Sequence, residues 1–277
     1  MTEQSVPKPG LYDGISEYEY RSGPGISKSG LWTIWTRSPA HFRFAEPKES
    51  EAFDFGSACH LAILQPNEFE QIVHRGPPDR RGNKWTDLAK WCEAEGKLLL
   101  TEGDFEKCLT IRDALHADAW ISGIITGGAR HVEASAYWMR DGLLCKCRPD
   151  LYRRDLGIIL DLKSTACARG DAFARSVVDY GYHVQEQWYS DGLASIDLPV
   201  NGFAFLAFEK EAPFAFRVYE LPPPIVAEGH AIADQAFARY AECVRANIWP
   251  AYGYGVEELS FPRWAYKATP APMGEDA

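Results

Sequence analysis

No stretch of this sequence approaches the roughly 20 consecutive apolar residues that a membrane-spanning helix needs. The first ten residues are polar and hold Pro7 and Pro9, so they do not read as a secretory signal. No membrane partner and a cytoplasmic location are the resulting expectations. Cysteines at framework or ligand spacing are also missing. The seven (Cys59, Cys92, Cys108, Cys145, Cys147, Cys167 and Cys243) are an odd number without a CxxC, which argues against a disulfide scaffold and structural zinc. Cys145 and Cys147 would share one face of a strand, where adjacent residues do not easily bridge, so reduced thiols are expected. There is no phosphate-binding GxxxxGK[ST] loop, no GxGxxG after a strand, no GxSxG elbow and no HExxH pair. Positive charge is in short supply, with 29 Lys and Arg against 39 Asp and Glu. The net charge of −10 disfavours a protein that coats nucleic acid by bulk attraction. It leaves room for an enzyme with a local basic channel beside a carboxylate cluster.

What is present is the composition of a globular protein: 277 residues, 46% apolar, 25% charged and 13% aromatic. That length accommodates one large core. Residues 1–25, rich in Gly, Pro and Ser, predict an extended arm, and 268–277 a flexible tail. Between them the pattern predicts one domain over 26–267. Ser27 is placed to cap a helix carrying Leu31, Ile34 and Trp35 that Ser38-Pro39 ends, and 53–64 reads as a second helix stopped by Pro66. The stretch 76–84 predicts a loop, either a solvated turn or a basic contact to phosphates through Arg80, Arg81 and Lys84. Helical spacing returns over 86–95 and 102–119. After Gly127-Gly128 the period becomes two, predicting an antiparallel meander of three strands that ends in the apolar run 157–162. A long helix over 173–193, a buried strand over 202–208, a hairpin partner over 214–219 and a last helix over 225–247 complete an α/β domain with a central mixed β-sheet flanked by helices.

The informative stretch is 147–165, CRPDLYRRDLGIILDLKST. Asp150 follows a proline at a strand end, and Asp161 lies in the next, apolar strand. A buried carboxylate costs several kcal/mol unless something compensates it. Asp161 and Lys163, two apart, project from one face of a strand. A turn near Arg154-Asp155 returns the second strand beside the first, bringing Asp150 next to Asp161. Adjacent carboxylates call for a shared proton or a hard cation. With an ammonium beside them, the set suits metal-assisted phosphodiester hydrolysis. Taken alone, a DxK on a strand is more often a surface pair.

Pro149-Asp150, then Asp161-Leu162-Lys163 with Asp161 eleven positions on, then a helix carrying Gln185-x-x-x-Tyr189, resembles the signature of the PD-(D/E)XK nuclease superfamily. More narrowly it is similar to the branch holding RecE (exonuclease VIII), the RecB nuclease domain and the lambda-type phage exonucleases. Over roughly 27–265, the resemblance implies a PD-(D/E)XK, restriction-endonuclease-like core. It implies catalytic roles for Asp150, Asp161, Lys163, His60, Gln185 and Tyr189. It also implies metal ligation by Asp150, Asp161, His60 and the main-chain carbonyl of Leu162. His60 alone would read as a core histidine on an apolar helix. Glu133 is either a further acidic group near the metals or an outward-facing charge. Ser164 and Thr165 are candidate phosphate donors or turn caps. Arg80, Arg81 and Arg148 are candidate DNA contacts, as are Lys84, Arg153 and Arg154.

The implied activity is a Mg²⁺-dependent double-strand DNA exonuclease, with Mn²⁺ as a possible substitute. It would digest 5′-ended strands and leave 3′ single strands for an annealing protein. The implied setting is a bacterial or phage-infected cell, and the implied assembly a homo-oligomeric ring of three or four chains. The Trp249-Pro250 and Trp264 tail is similar to that branch as well. An iron–sulfur variant of the fold would need three cysteines after the core, where Cys243 stands alone beyond Cys167. An endonuclease, a single-strand nuclease and a DNA-binding protein with an inactive nuclease fold are the remaining alternatives. A requirement for Mg²⁺ separates the last of these from an enzyme.

Overall fold

The structure, a computed structural model, describes residues 7–46, 55–253 and 255–262. The start of the expected helix at Phe53, Trp264 of the tail and residues 268–277 lie outside them. Where an extended arm is expected, two elements form instead. Ser16 and Glu19 make a reciprocal capping box on α1 (Glu17–Ser22), a signal that stood in the sequence. Ahead of it, β1 (Gly10–Tyr12) pairs antiparallel with β5 (Ser135–Arg140). Ser27 caps α2 (Lys28–Thr36) as its position predicts, and Ser38 caps α3 (Pro39–Arg43). Pro39 and Pro66 therefore open helices as well as closing them, because a first-turn position needs no N–H. The helices flanking Pro66 are α4 (Phe55–Leu64) and α5 (Pro66–Ile72).

Two short parallel strands, β2 (Val73–Arg75) and β3 (Leu98–Leu100), bracket α6 (Gly82–Ala94). Lys84 is thus helical, whereas Arg80 and Arg81 stay in the preceding loop. After α7 (Glu102–Ala117), the Asp118 side chain accepts the first free N–H groups of α8 (Ala119–Thr126), a helix the periodicity did not separate.

The expected meander is present in chain order but divided between two sheets. Its segments are β4 (Arg130–Val132), β5, β6 (Leu143–Cys147), β7 (Leu151–Arg153) and β8 (Ile158–Thr165). β5 pairs with β6 beside β1, while β4 pairs with β7 beside β8. The first two strands therefore both break midway. Glu133 takes a left-handed φ of 49°, and Pro149 on the facing segment has no N–H for a ladder. One bond spans the break, from Glu133 N–H to the Asp150 carbonyl at 3.0 Å.

β9 (Gly202–Glu209) runs parallel to β8, and β10 (Phe216–Tyr219) antiparallel to β9. The main sheet is therefore mixed, in the order β10-β9-β8-β7-β4. Its parallel crossover is carried by α9 (Gly170–Tyr180) and α10 (Tyr182–Ala194). Sequence periodicity predicts one helix here; Gly181, at φ 63° and ψ 43°, breaks it. α11 (Pro223–Ala246) packs against α10. Alternate residues serve the two faces of the sheet. Leu160, Leu162, Leu206 and Phe208 meet the apolar faces of α4, α5 and α7, whereas Ile159, Phe203 and Phe205 meet Phe173, Val184, Trp188 and Phe237. Helices thus flank a central mixed sheet, as predicted. Among the described residues, no helix is long and apolar enough to cross a membrane.

Candidate active site

The hairpin joining β7 to β8 sets Leu151 opposite Leu160, which carries Asp150 to the flank of Asp161. The Asp150 Oδ2 accepts a hydrogen bond from Leu162 N–H at 2.7 Å. Asp161 and Lys163 share the β8 face turned toward α10, and their side chains form an ion pair. Gln185 of α10 donates to Oδ1 of the same Asp161. From the other side of the sheet, α4 brings His60 Nδ1 to 3.6 Å from Asp150 Oδ2. Its ring also meets Phe208 edge-on. The ligand atoms of His60, Glu133 and Asp150 lie within 4.8 Å of one another. The break between β4 and β5 turns Glu133 into this group.

Burial governs the electrostatics. It raises the Asp150 carboxyl above its ordinary value, against the pull of Lys163 and the Leu162 N–H. It lifts Asp161 to about 6 despite Lys163, with Asp150 adding to the rise. Glu133 is pushed to about 8 by burial and then by Asp150, with Arg148 opposing. Burial also works against the Lys163 ammonium, but Asp161 and Asp150 outweigh it and hold that group above its usual range. Three carboxyl groups thus stand close together where burial opposes the charge on each. The donor set, carboxylate oxygens and one imidazole, fits a hard divalent cation.

A cleft of about 610 Å³ is lined by His60, Glu133 and Asp150, whereas Asp161 and Lys163 are not in its wall. Tyr189 lines it, whereas Gln185, one turn earlier on α10, stands behind Asp161. Arg148 also lines it, with its side chain committed to the protein. It bonds Glu133 at 3.0 Å, the Ile15 carbonyl at 2.8 Å and Ser135 Oγ at 3.1 Å. Thr165 Oγ1 caps the turn at Cys167, and Ser164 follows Lys163 on β8. Arg80 lies over the Trp85 ring, 3.6 Å from Asp104, and Arg81 precedes α6; neither borders the cleft. Arg153 is corrected as a DNA contact: it is buried, bonded to Asp155 and to the carbonyls of Gly123 and Ile124. The Gly123 carbonyl also accepts the Gly127 N–H, and Arg153 adds donors to the carbonyls of the last turn of α8.

The sequence reading overlooked the wall supplied by the N-terminal segment. Glu17, Tyr20 and Arg21 of α1, and Lys28 at the start of α2, line the cleft. Buried Lys146 anchors α1, donating to the carbonyls of Tyr20 and Gly23 at 2.6 and 2.7 Å beneath the Tyr20 ring. Burial lowers that ammonium to about 8. A lysine between two cysteines in an otherwise apolar strand was the available signal; for Lys28 the sequence carried none.

The family profile described as a PDDEXK-like domain of unknown function (DUF3799) matches residues 39–259. No curated protein matches the chain. The fold is similar to that of a candidate exonuclease from Eubacterium rectale, at a TM-score of 0.61 and 15% identity, over 92% of this chain and 98% of that one. A phage-related exonuclease from Haemophilus somnus 129PT aligns over 83% of this chain and 99% of its own, at 13% identity and a TM-score of 0.33. At that score the second likeness carries no argument, and the first speaks to the fold alone.

Proposed function

Since the chain belongs to the PDDEXK-like family DUF3799, we propose that it is a Mg²⁺-dependent DNA exonuclease working inward from duplex ends. The observation that carries this is the meeting of His60, Glu133 and Asp150 in the wall of one cleft, with the Asp161–Lys163 ion pair on the strand next to Asp150. The proposed ligands are Asp150, Asp161, His60, Glu133 and the Leu162 carbonyl. Carboxylates suit Mg²⁺, and the imidazole makes Mn²⁺ an acceptable substitute. When bound, the cation neutralises the scissile phosphate and makes a nearby water more acidic.

The protein's own groups do the rest. Lys163, kept protonated by two carboxylates, offers a charged hydrogen-bond donor where negative charge grows on the phosphate. Gln185 fixes the rotamer of Asp161 by bonding one of its oxygens. His60 holds Asp150 from the opposite side of the sheet. The Tyr189 hydroxyl, held protonated by burial, is an uncharged donor to a phosphate oxygen. Ser164 is a second such donor. Arg148 is proposed to act on DNA only indirectly, by setting Glu133.

Digestion from 5′ ends to leave 3′ single strands, a ring of three or four chains and an annealing protein as partner are carried by the sequence resemblance. The upstream histidine and the Gln-x-x-x-Tyr helix, both beside the acidic pair, favour an exonuclease over an endonuclease. End-labelled linear duplex and a closed circle, incubated with Mg²⁺ or EDTA, test this. Release of the 5′ label from linear DNA alone, lost with EDTA and in Lys163→Ala, is expected. Cutting of the circle would replace exonuclease by endonuclease, and no Mg²⁺-dependent cleavage would overturn the enzyme.

A further inference from the structure

The bend at Gly181 brings together two rings that a continuous helix would hold apart. Residues two apart on a helix point in different directions. Here Tyr180 ends α9 and Tyr182 begins α10, and their rings stack with centroids 5.7 Å apart at 26°. The pair leads outward from the catalytic lysine. Lys163 Nζ lies 4.7 Å from the Tyr182 ring centroid, and Tyr180 is 60% exposed. Lys28 borders the same pair: its Nζ donates to the Tyr180 carbonyl at 2.5 Å and lies 5.8 Å from the Tyr182 ring. Lys28 also lines the cleft, so the aromatic step and the site for a phosphate adjoin.

We infer that Tyr180 and Tyr182 form a stacking platform for an unpaired nucleobase whose neighbouring phosphate is held at Lys28 and Lys163. The inference rests on the nuclease reading and adds a ligand class to a surface that meets the acidic site at Lys163. Three features of the platform match one nucleotide. The open ring of Tyr180 is a flat π surface that accepts any base. The two ammonium groups complement the phosphate. Burial and the adjacent Lys163 depress Lys28 to about 7, a strain that an anion would relieve. A lone exposed tyrosine would need no explanation; one stacked in series with a second ring and two cations at a cleft edge has a binding geometry.

The test is a linear duplex ending in one unpaired 2-aminopurine, bound in Ca²⁺ to limit cutting and read by fluorescence. Wild type should quench the probe, Tyr180→Phe should match it, and Tyr180→Ala should bind about tenfold more weakly with the quench lost. An abasic residue at the same position should bring wild type down to the variant's affinity, and the two losses should not add. Equal quenching by wild type and Tyr180→Ala, or fully additive losses, would overturn the platform while leaving the nuclease intact. A wild-type protein that neither binds nor cuts any DNA would overturn both.

Discussion

Asp161 is 1% exposed and holds Lys163 as its counter-ion, so the two side chains must be treated together. Replacing Lys163 by alanine should lower cleavage at least ~100-fold, the scale of losing one preorganised donor at a developing charge. It should also destabilise the fold, by ~3–5 kcal/mol if the carboxylate stays charged. The sign with pH follows from Asp161. Its folded pKa of about 6 stands above the ordinary 3.8 of an aspartate, so between these values the folded chain binds more protons than the unfolded one. Stability from this group therefore falls as pH rises through that window, and removing Lys163 widens it. Thermal melts in EDTA should show a larger Lys163→Ala deficit at pH 8 than at pH 5; a deficit independent of pH would refute the argument. Glu186 makes a cleaner case, being far less exposed than most glutamates and lifted to about 7 by burial and then by Glu220. Glu186→Gln should raise the melting temperature at pH 8 and leave it nearly unchanged at pH 4. Arg148→Met tests the support of Glu133. Calorimetric Mn²⁺ affinity should drop about tenfold at pH 7, and its rise with pH should shift upward from that of wild type, because Arg148 opposes the burial that lifts Glu133 to about 8. The aspartates, the lysine and Gln185 were legible because their spacing on a strand and a helix decides which faces they share. Lys28 and Glu17 were not, since what places them is packing between distant segments.

Elements were most legible where one local rule acted alone. Ser27 capping α2 and the apolar alternation of β9 are of that kind. The misread helix at 173–193 shows the opposite situation, where a continuous apolar pattern hides a break that one glycine permits and a distant tryptophan requires. A Cβ on Gly181 would lie 2.6 Å from the Trp32 ring, at a φ of 63°. Gly181→Ala should cost ~1–2 kcal/mol from the left-handed backbone alone, plus the displacement of Trp32. Chemical denaturation with an unchanged m-value would register it, and a neutral outcome would mean that the bend is not required. The divided meander was hidden for a similar reason. A period of two continues across Glu133 and Pro149, so periodicity alone cannot say that the ribbon passes from one sheet to the next.

At the scale of the whole molecule, a protein of net charge −10 must meet DNA through a small favourable surface. Its cleavage should accordingly depend strongly on the divalent cation: EDTA should abolish it, and Mg²⁺ or Mn²⁺ should restore it. Activity that survives chelation would contradict the proposed chemistry. Light scattering of the full chain should give three or four chain masses if the proposed ring forms; a monomer that still digests duplex ends would discard the ring and keep the site. The sequence by itself determined the α/β class, the acidic pair with its lysine and the Gln-x-x-x-Tyr helix, because strand and helix periods fix which neighbours share a face. Only the tertiary structure decided that α1 walls the cleft, that Arg153 is buried against α8 and that Tyr180 lies over Tyr182. The first two depend on contacts between segments far apart in the chain and the third on the left-handed backbone at Gly181, and no local period records either.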